Sequence, residues 1–383
     1  MSETKDITIC ICAFNAEQTI ERAMLSAIAA SNGPILLVDD FCTDQTVALA
    51  AKIAGTQLRV VRPLHKHGIG NARQTALENI KTPYGLWLDA DDEILPRRAA
   101  DMLKTFEETG VDLIFDAGEL VDGTSSNTIA HLTMPAFLKG VGIWRLFERN
   151  WLPGLCGGFN TIFARSVGYD QSFYNSEDYD FTLRALMAGA TCHLSQECGY
   201  HYYHYPQTIS RNLKQATGFT AKALAKHSLG EIGTQLSRGK LPEAEQRFLL
   251  CCVALSSGKY ENCIRIAATI EDQHHMVQPY KTTAASLAAF LASSAYLKQN
   301  KPDAALALLE RSQMATADCF NNIGVCHKLL GNTDKADTCF RQALQLLPGY
   351  VDVIQNLKNI DISEPPAITL LPLRRMVGRS QYT

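Results

Sequence analysis

Between Ile7 and Gly110, four short apolar runs are each followed by a stretch with helical spacing, and this alternation restricts the fold more than any other feature of the chain. ITICICAF, PILLVDD, QLRVVRP and GLWLDADDEI are strand candidates, apolar on successive positions as strands covered on both faces are. Between them the spacing predicts helices. The first starts near Asn15, whose side chain is placed to cap with Gln18 three positions on, and carries Ile20, Ala23, Ala27 and Ile28 on one face. TVALAAKIAG is closed by Gly55, GNARQTALENIK follows, and LPRRAADMLKTFEETG has Pro96 near its first turn and Gly110 at its end. Such an order gives an α/β unit, a mostly parallel sheet with helices on both faces. Ligands bind beyond the carboxyl ends of the strands in sheets of this kind.

Acids gather at those ends. Asp39 and Asp40 close the second run, and Asp89, Asp91 and Asp92 follow the fourth. Crowded carboxylates repel one another, and a cation or a hydroxyl-rich ligand offsets that repulsion. Mg²⁺ and Mn²⁺ prefer carboxylate oxygens, one or two from protein with phosphates and water completing the shell. The plain alternative is a solvated acidic turn before a helix, whose positive end favours carboxylates. GIGNARQTAL adds Arg73 near a helix start, a place that attracts phosphate, and SEDYDFTLRALMAG adds the Glu177–Asp178 pair at another helix start. Trp144 and Trp151 suit sugar stacking, but aromatics in apolar surroundings are more often core. Gly157 and Gly158 fit either a close backbone approach to a ligand or a tight turn.

From roughly Gly218 onward strand signals vanish and alanine and leucine dominate. Phe320, Ile323, Gly324, His327, Ala336, Phe340, Ala343 and Pro348 follow the offsets of a tetratricopeptide repeat, with Phe320 and His327 in place of the usual tryptophan and tyrosine. SGKYENCIRIAATI and NKPDAALALLERS look like weaker copies of its second half. About three helical hairpins are expected to stack, capped by a helix near Val353 to Ile360. The tail, residues 362–383, carries Arg374, Arg375 and Arg379 and reads as a loosely held, basic extension.

A net charge of −3 over 383 residues argues against a broad nucleic-acid footprint, which needs a clustered basic face. No apolar run reaches the length of a membrane span, and MSETKDITIC lacks a signal-peptide core, so a cytoplasmic place is expected, with peripheral contact at the inner membrane surface left open. The twelve cysteines then read as reduced thiols. The spacing of Cys192, His193, Cys198 and His201 matches none of the usual zinc patterns.

Taken in order, ICAFNAEQTIERAMLSAI, VDDFCTD, LDADD and SEDYDFTLRALMAG resemble the family 2 glycosyltransferases of the GT-A fold, a Rossmann-like α/β architecture. Ala13 stands where proline is frequent in that family, and Phe41–Cys42 replace a common glycine–serine pair. The resemblance implies a domain over 1–217, followed by the repeat domain over 218–361. It implies that Phe14 lies against the nucleotide base, Asp40 accepts a hydrogen bond from uracil, and Arg73 faces the nucleotide or diphosphate. Asp89 would meet the ribose or a Mn²⁺ or Mg²⁺ ion, Asp91 the ion itself, and His201 or His204 (the latter taken as the metal candidate) would complete the metal or diphosphate contacts. Asp178 would be the catalytic base, Glu177 its support or a contact to the acceptor, and the reaction a single displacement with inversion from a nucleotide-sugar donor, with UDP expected. The acceptor stays open between peptide, protein and saccharide, including lipid-linked or cell-surface polysaccharide. A homodimer through the repeats is also open, as is a rival class, a helical-repeat interaction protein with an inactive transferase domain.

Overall fold

The computed structural model describes residues 4–65, 67–153, 157–205, 213–271 and 274–373. Its contacts divide the chain into two compact units, Met1–Gly140 with Asn150–Ala223, and Val141–Arg149 with Leu224–Thr383. The helical unit therefore takes in the segment Val141–Arg149, which lies well before its main span.

The first unit opens as the alternation requires: β1 (Ile7–Ala13), α1 (Ile20–Ala30), β2 (Ile35–Asp39), α2 (Thr46–Ala54), β3 (Leu58–Val61), α3 (Ile69–Asn79) and β4 (Tyr84–Asp89). These strands pair in parallel in the order β3-β2-β1-β4. The apolar side chains of β1, β2 and β4 are buried together with Ile20, Ala23, Met24 and Ala27 of α1, so one helix face and the sheet share a core. α1 does not start at Asn15. It starts at Ile20 with Thr19 as a cap whose side chain bonds back to the Ala16 carbonyl and caps no helix amide, because Asn15 adopts a left-handed conformation (φ 48°) and its side chain accepts from the Thr43 amide at 2.8 Å.

Past β4 the sheet turns mixed. β5 (Glu93–Ile94), α4 (Arg98–Thr109), β6 (Leu113–Asp122), β7 (Thr128–Leu132), β8 (Gly158–Asn160), α5 (Thr161–Val167), α6 (Glu177–Met187), β9 (Cys192–His204) and α7 (Leu213–Ala225) follow. The short β8 inserts antiparallel between β4 and β6, β9 runs parallel to β6, and β5 and β7 pair antiparallel with β9 and β6. Purely parallel pairing thus ends where the strand–helix alternation ends. A bidentate ion pair inside this half, Arg98 Nε and Nη2 donating to Asp116 at 2.7 and 3.0 Å, is closed over by Gly157: a Cβ there would lie 2.6 Å from Asp116 Oδ1 and 2.5 Å from Met102. That glycine lets the protein's own core, not a ligand, come close.

In the second unit, α8 (Leu229–Arg238) starts on a capping box between Ser228 and Glu231. Hairpins α9/α10 (Glu243–Ser256, Tyr260–Ala267), α11/α12 (Ala284–Lys298, Pro302–Ser312) and α13/α14 (Ala317–Leu329, Thr333–Leu346) follow, then α15 (Val351–Lys358); a small ribbon of β10 (Met276–Val277) and β11 (Thr282–Thr283) precedes α11. First helices stack on first helices, α9 on α11 on α13 on α15, which is the expected array. Gly324 is what lets α13 and α14 approach: a Cβ there would sit 2.6 Å from the Phe340 ring. Trp144 packs against Phe147 in this unit, and Trp151 against Phe137 within the first. The tail is not loose throughout. Ala367–Leu373 is held by side chains of this unit, whereas Arg374, Arg375 and Arg379 lie outside the described residues.

Candidate active site

The chain leaves β1 toward β2 on one side and reaches β4 on the other, so the carboxyl ends of β1 and β4 flank a topological switch point. Register there sets Cys12 beside Asp89 and Ala13 beside Asp39. Arg73, from the first turns of α3, points into this place and is only 3% exposed. Its Nε donates to Glu177 Oε1 at 2.8 Å, its Nη2 donates to Asp89 Oδ1 at 3.1 Å, and its guanidinium lies 4.7 Å from the centre of the Trp87 ring. One cation thus joins the end of β4 to the start of α6.

The acids here have been pulled out of water. Burial pushes the Glu177 carboxyl up to about 7, against the pull of Arg73 and with help from the charge of Asp178. Asp178 is raised as well, first by burial; Arg73 lowers it and Asp89 raises it, which places all four groups in one electrostatic neighbourhood. Cys12, half-buried beside Asp89 in the sheet, is driven up to about 12, first by loss of water around the thiol. Asp178 is partly exposed where Glu177 is buried. Ser176, the residue before them, is left-handed (φ 58°), and this turn delivers both acids to the N-terminal turn of α6.

A second group sits at the end of β2. Asp40 is buried and accepts the Gly68 amide with both oxygens, at 3.1 and 3.0 Å, while His67 Nδ1 lies 2.8 Å from its Oδ2. Burial raises its carboxyl above the ordinary range. Gly68 is required there: its φ is 146°, and a Cβ would meet the Tyr174 ring at 2.8 Å. Phe14, 49% exposed, stands against His67 with ring centres 4.0 Å apart. Phe14 is followed, and Asp40 is followed, by a non-glycine residue at positive φ, Asn15 and Phe41, the kind of local strain that persists where loops are held for a purpose. Asp39 points elsewhere, to Arg62 (Nε at 2.9 Å) and the Cys42 amide (2.8 Å), and these bonds hold it below the ordinary range although burial works the other way.

The acidic loop after β4 divides its labour. Asp92 is buried and structural: the Tyr200 hydroxyl donates to it at 2.9 Å and the Tyr203 amide at 2.8 Å, and the same hydroxyl accepts from the Asp89 amide at 2.9 Å. Arg22 donates to the Asp91 carbonyl oxygen and covers the Tyr203 ring. The Asp91 carboxyl is raised to about 6, by burial and then by the charge of Asp89. A carboxylate crowded by a second one fits a hard divalent cation, which takes few protein ligands and leaves the rest of its shell to phosphate and water. Among the described residues no three His, Cys, Asp or Glu side chains form a ready-made metal cluster. His201 lies between Glu93 (3.8 Å) and Glu119 (3.7 Å), and His204 ends β9 opposite Asp122, whose charge it influences.

The structure therefore brings together Asp89, Arg73, Glu177 and Asp178, with Asp91 beside Asp89, and sets Phe14 with Asp40 through His67. Sequence reading passed over His67, Tyr200 and Arg22. The histidine in HKHGIG, directly before the glycine that meets Asp40, was the one with a readable cue; the other two act through partners far along the chain.

A family model for glycosyl transferase family 2 matches residues 8–170, and one for the tetratricopeptide repeat matches residues 317–350. The succinoglycan biosynthesis proteins ExoO and ExoU of Rhizobium meliloti (strain 1021) are 28% identical over 232 residues and 31% identical over 212 residues. These matches cover 56% and 51% of this chain, and 65% and 61% of the relatives, so the chain spans less than two thirds of either one. Among solved structures, S. aureus TarS 1-349 in complex with UDP-GlcNAc superposes with a TM-score of 0.53 at 15% identity, covering 89% of this chain and 92% of that one. The shared fold is GT-A-like, as the order of motifs implied. Residues 8–170 are a family 2 glycosyl transferase domain, and residues 317–350 are a tetratricopeptide repeat.

Proposed function

We propose that this chain is a glycosyltransferase that moves a sugar from a nucleotide-sugar donor, with UDP as the nucleotide, to an acceptor hydroxyl with inversion at the anomeric carbon. One observation carries the reading: Arg73 gathers Asp89 and Glu177, and Asp178 with them, at the switch point of the sheet. The TarS structures, solved with UDP-GlcNAc and with UDP, support the choice of nucleotide.

Phe14 lies against the base, and Asp40 accepts from the uracil ring, with the exposed His67 side chain giving way to it. Arg73 fixes Asp89 toward the ribose and sets positive charge near the diphosphate. Asp178 takes the proton of the attacking hydroxyl; a sugar hydroxyl is a poor nucleophile near neutral pH, and burial brings this carboxylate closer to the range in which a base works well. Glu177, locked on Arg73, keeps Asp178 in place. A Mn²⁺ or Mg²⁺ ion held by Asp89 and Asp91, with His204 as a further contact, would supply charge neutralisation for the departing diphosphate.

The names of the relatives, which make succinoglycan, favour a saccharide acceptor for a cell-surface polymer. The repeat at 317–350 keeps a peptide or protein acceptor, and a homodimer through the helices, as the second reading. We place the chain in the cytoplasm with peripheral access to the inner membrane surface; no helix among the described residues is long and apolar enough to cross a membrane.

The test is a thermal-shift screen of UDP-sugars with and without Mn²⁺, then turnover of the best donor. Asp178→Asn is expected to abolish transfer with donor affinity near normal, and strong residual turnover removes Asp178 from the role of base. Asp91→Ala is expected to weaken Mn²⁺-dependent donor binding, and an unchanged titration rejects the metal assignment. A chain that neither transfers nor hydrolyses any nucleotide sugar is an interaction protein with an inactive transferase domain.

A further inference from the structure

Among the described residues, the side chain of His67 bonds and stacks only with the two groups assigned to the base, Asp40 and Phe14. Its Nδ1 lies 2.8 Å from Asp40 Oδ2 and 3.2 Å from the Asp40 carbonyl oxygen, and its ring faces Phe14 with centres 4.0 Å apart. Asp40 Oδ2 also accepts the Gly68 amide at 3.0 Å, so both of its lone pairs are in use. Asp40 is 3% exposed, and little of its carboxylate can be reached while the imidazole stays.

A uracil ring asks for the same two things, an acceptor for its N3–H and an apolar face to lie on. Of the two donors now on Oδ2, the Gly68 amide is main chain fixed at φ 146° and cannot leave. The imidazole can. Half of the His67 side chain and half of Phe14 face solvent, so the ring swings outward without unpacking any core. We infer that His67 is the resident occupant of the base subsite, a competitor carried by the chain itself, and that the nucleotide binds by displacing it at a cost that rises when the ring gains a proton. The inference rests on the reading of Phe14 and Asp40 as the base subsite.

The proton enters because an imidazolium donates to a carboxylate through a charge-assisted bond, roughly twice as strong as the bond from a neutral donor. Histidine changes charge between about pH 5 and 8. The neighbouring groups do not reverse this. Asp39, next to Asp40 on β2, raises the Asp40 carboxyl by its charge, but it is itself bound by Arg62 past β3. Cys12 on β1 and Cys42 after β2 have thiols pushed up by burial and stay neutral. Tyr174, whose ring lies against Gly68, is neutral well below about pH 10, and His65 is exposed two residues before the pair.

The test is calorimetric titration of UDP, at constant Mg²⁺, into the full wild-type chain and the variants His67→Ala, His67→Gln and Asp40→Asn, at pH 8 and pH 5.5. Comparing two proteins at one pH cancels what acid does to Asp89 and Asp91. His67→Ala should bind UDP more tightly than the wild type, by roughly threefold at pH 8 and by roughly tenfold at pH 5.5. Glutamine donates but cannot charge, so His67→Gln should match the wild type at pH 8 and exceed it several-fold at pH 5.5. An unchanged affinity in His67→Ala, or the same gain at both pH values, overturns the inference. Weaker binding overturns it too, and makes His67 a contact to the base. Asp40→Asn separates this from the reading beneath it: if Asp40→Asn weakens UDP binding and the His67 variants do not alter it, only the competitor falls. If Asp40→Asn leaves UDP binding unchanged, or the wild type binds no UDP, the base subsite falls and His67 with it.

Discussion

Replacing Glu177 by glutamine should flatten the dependence of stability on pH. The Glu177 carboxyl is raised from 4.5 to about 7, because burial outweighs the help from Arg73 and the charge of Asp178 adds to the cost. Below pH 4.5 the folded and unfolded chains both hold the proton and nothing is lost. Between 4.5 and 7 the unfolded chain has released a proton that the folded chain keeps, so rising pH favours unfolding, and the loss is complete above 7. A gap of about 2.5 pH units (7 − 4.5) at 1.36 kcal/mol per unit is on the order of 3 kcal/mol. Glutamine keeps a carbonyl oxygen for Arg73 Nε and cannot ionise. Urea unfolding followed by tryptophan fluorescence, in which Trp87 beside Arg73 reports on the site, would be run on both proteins from pH 4.5 to 8 without divalent cation. The variant should gain on the wild type by on the order of 3 kcal/mol across that range. Parallel curves would refute the assignment of this titration to Glu177.

Three further outcomes follow from the packing. Arg98→Leu leaves Asp116 buried without its cation and should cost about 3–5 kcal/mol in urea unfolding, while the double change with Asp116→Leu should cost less; a double variant as unstable as the single one counts against this account. Gly324→Ala drives a methyl group into the Phe340 ring and should lower stability by about 1–3 kcal/mol, read from the loss of helical circular dichroism on heating; an unchanged midpoint means the ring yields freely. Gly68→Ala should weaken UDP binding by roughly tenfold in calorimetry, since the amide that holds Asp40 can no longer stay at φ 146°. Unaltered affinity would detach Asp40 from nucleotide recognition.

Much of the first unit was legible. The strand–helix alternation gave β1 to β4 and the helices between them in the right order, and acids at strand ends singled out Asp40, Asp89 and Asp91 as candidates. Asn15 misled, because a good capping residue can also take a left-handed turn, and here it bonds Thr43 on the next loop instead of its own helix. The mixed half of the sheet was hidden, since the three-residue β8 that reverses the pairing carries too few residues to show a period. The prolines of the tail suggested looseness, and nothing local to them could show that Asn322 and Asn356 wait on other helices.

Local periodicity determined the strands and helices up to β4 and the helical hairpins of the second unit, and the residue types at strand ends determined which carboxylates crowd together there, because both depend on residues a few positions apart. Only the tertiary structure decided that Arg73 would tie Asp89 to Glu177, that Tyr200 would hold Asp92, and that Asn322 would grip the Thr369 backbone. Those pairings depend on where distant stretches meet. How tightly each acid keeps its proton was settled there too, since that follows from how much water the folded chain excludes around it.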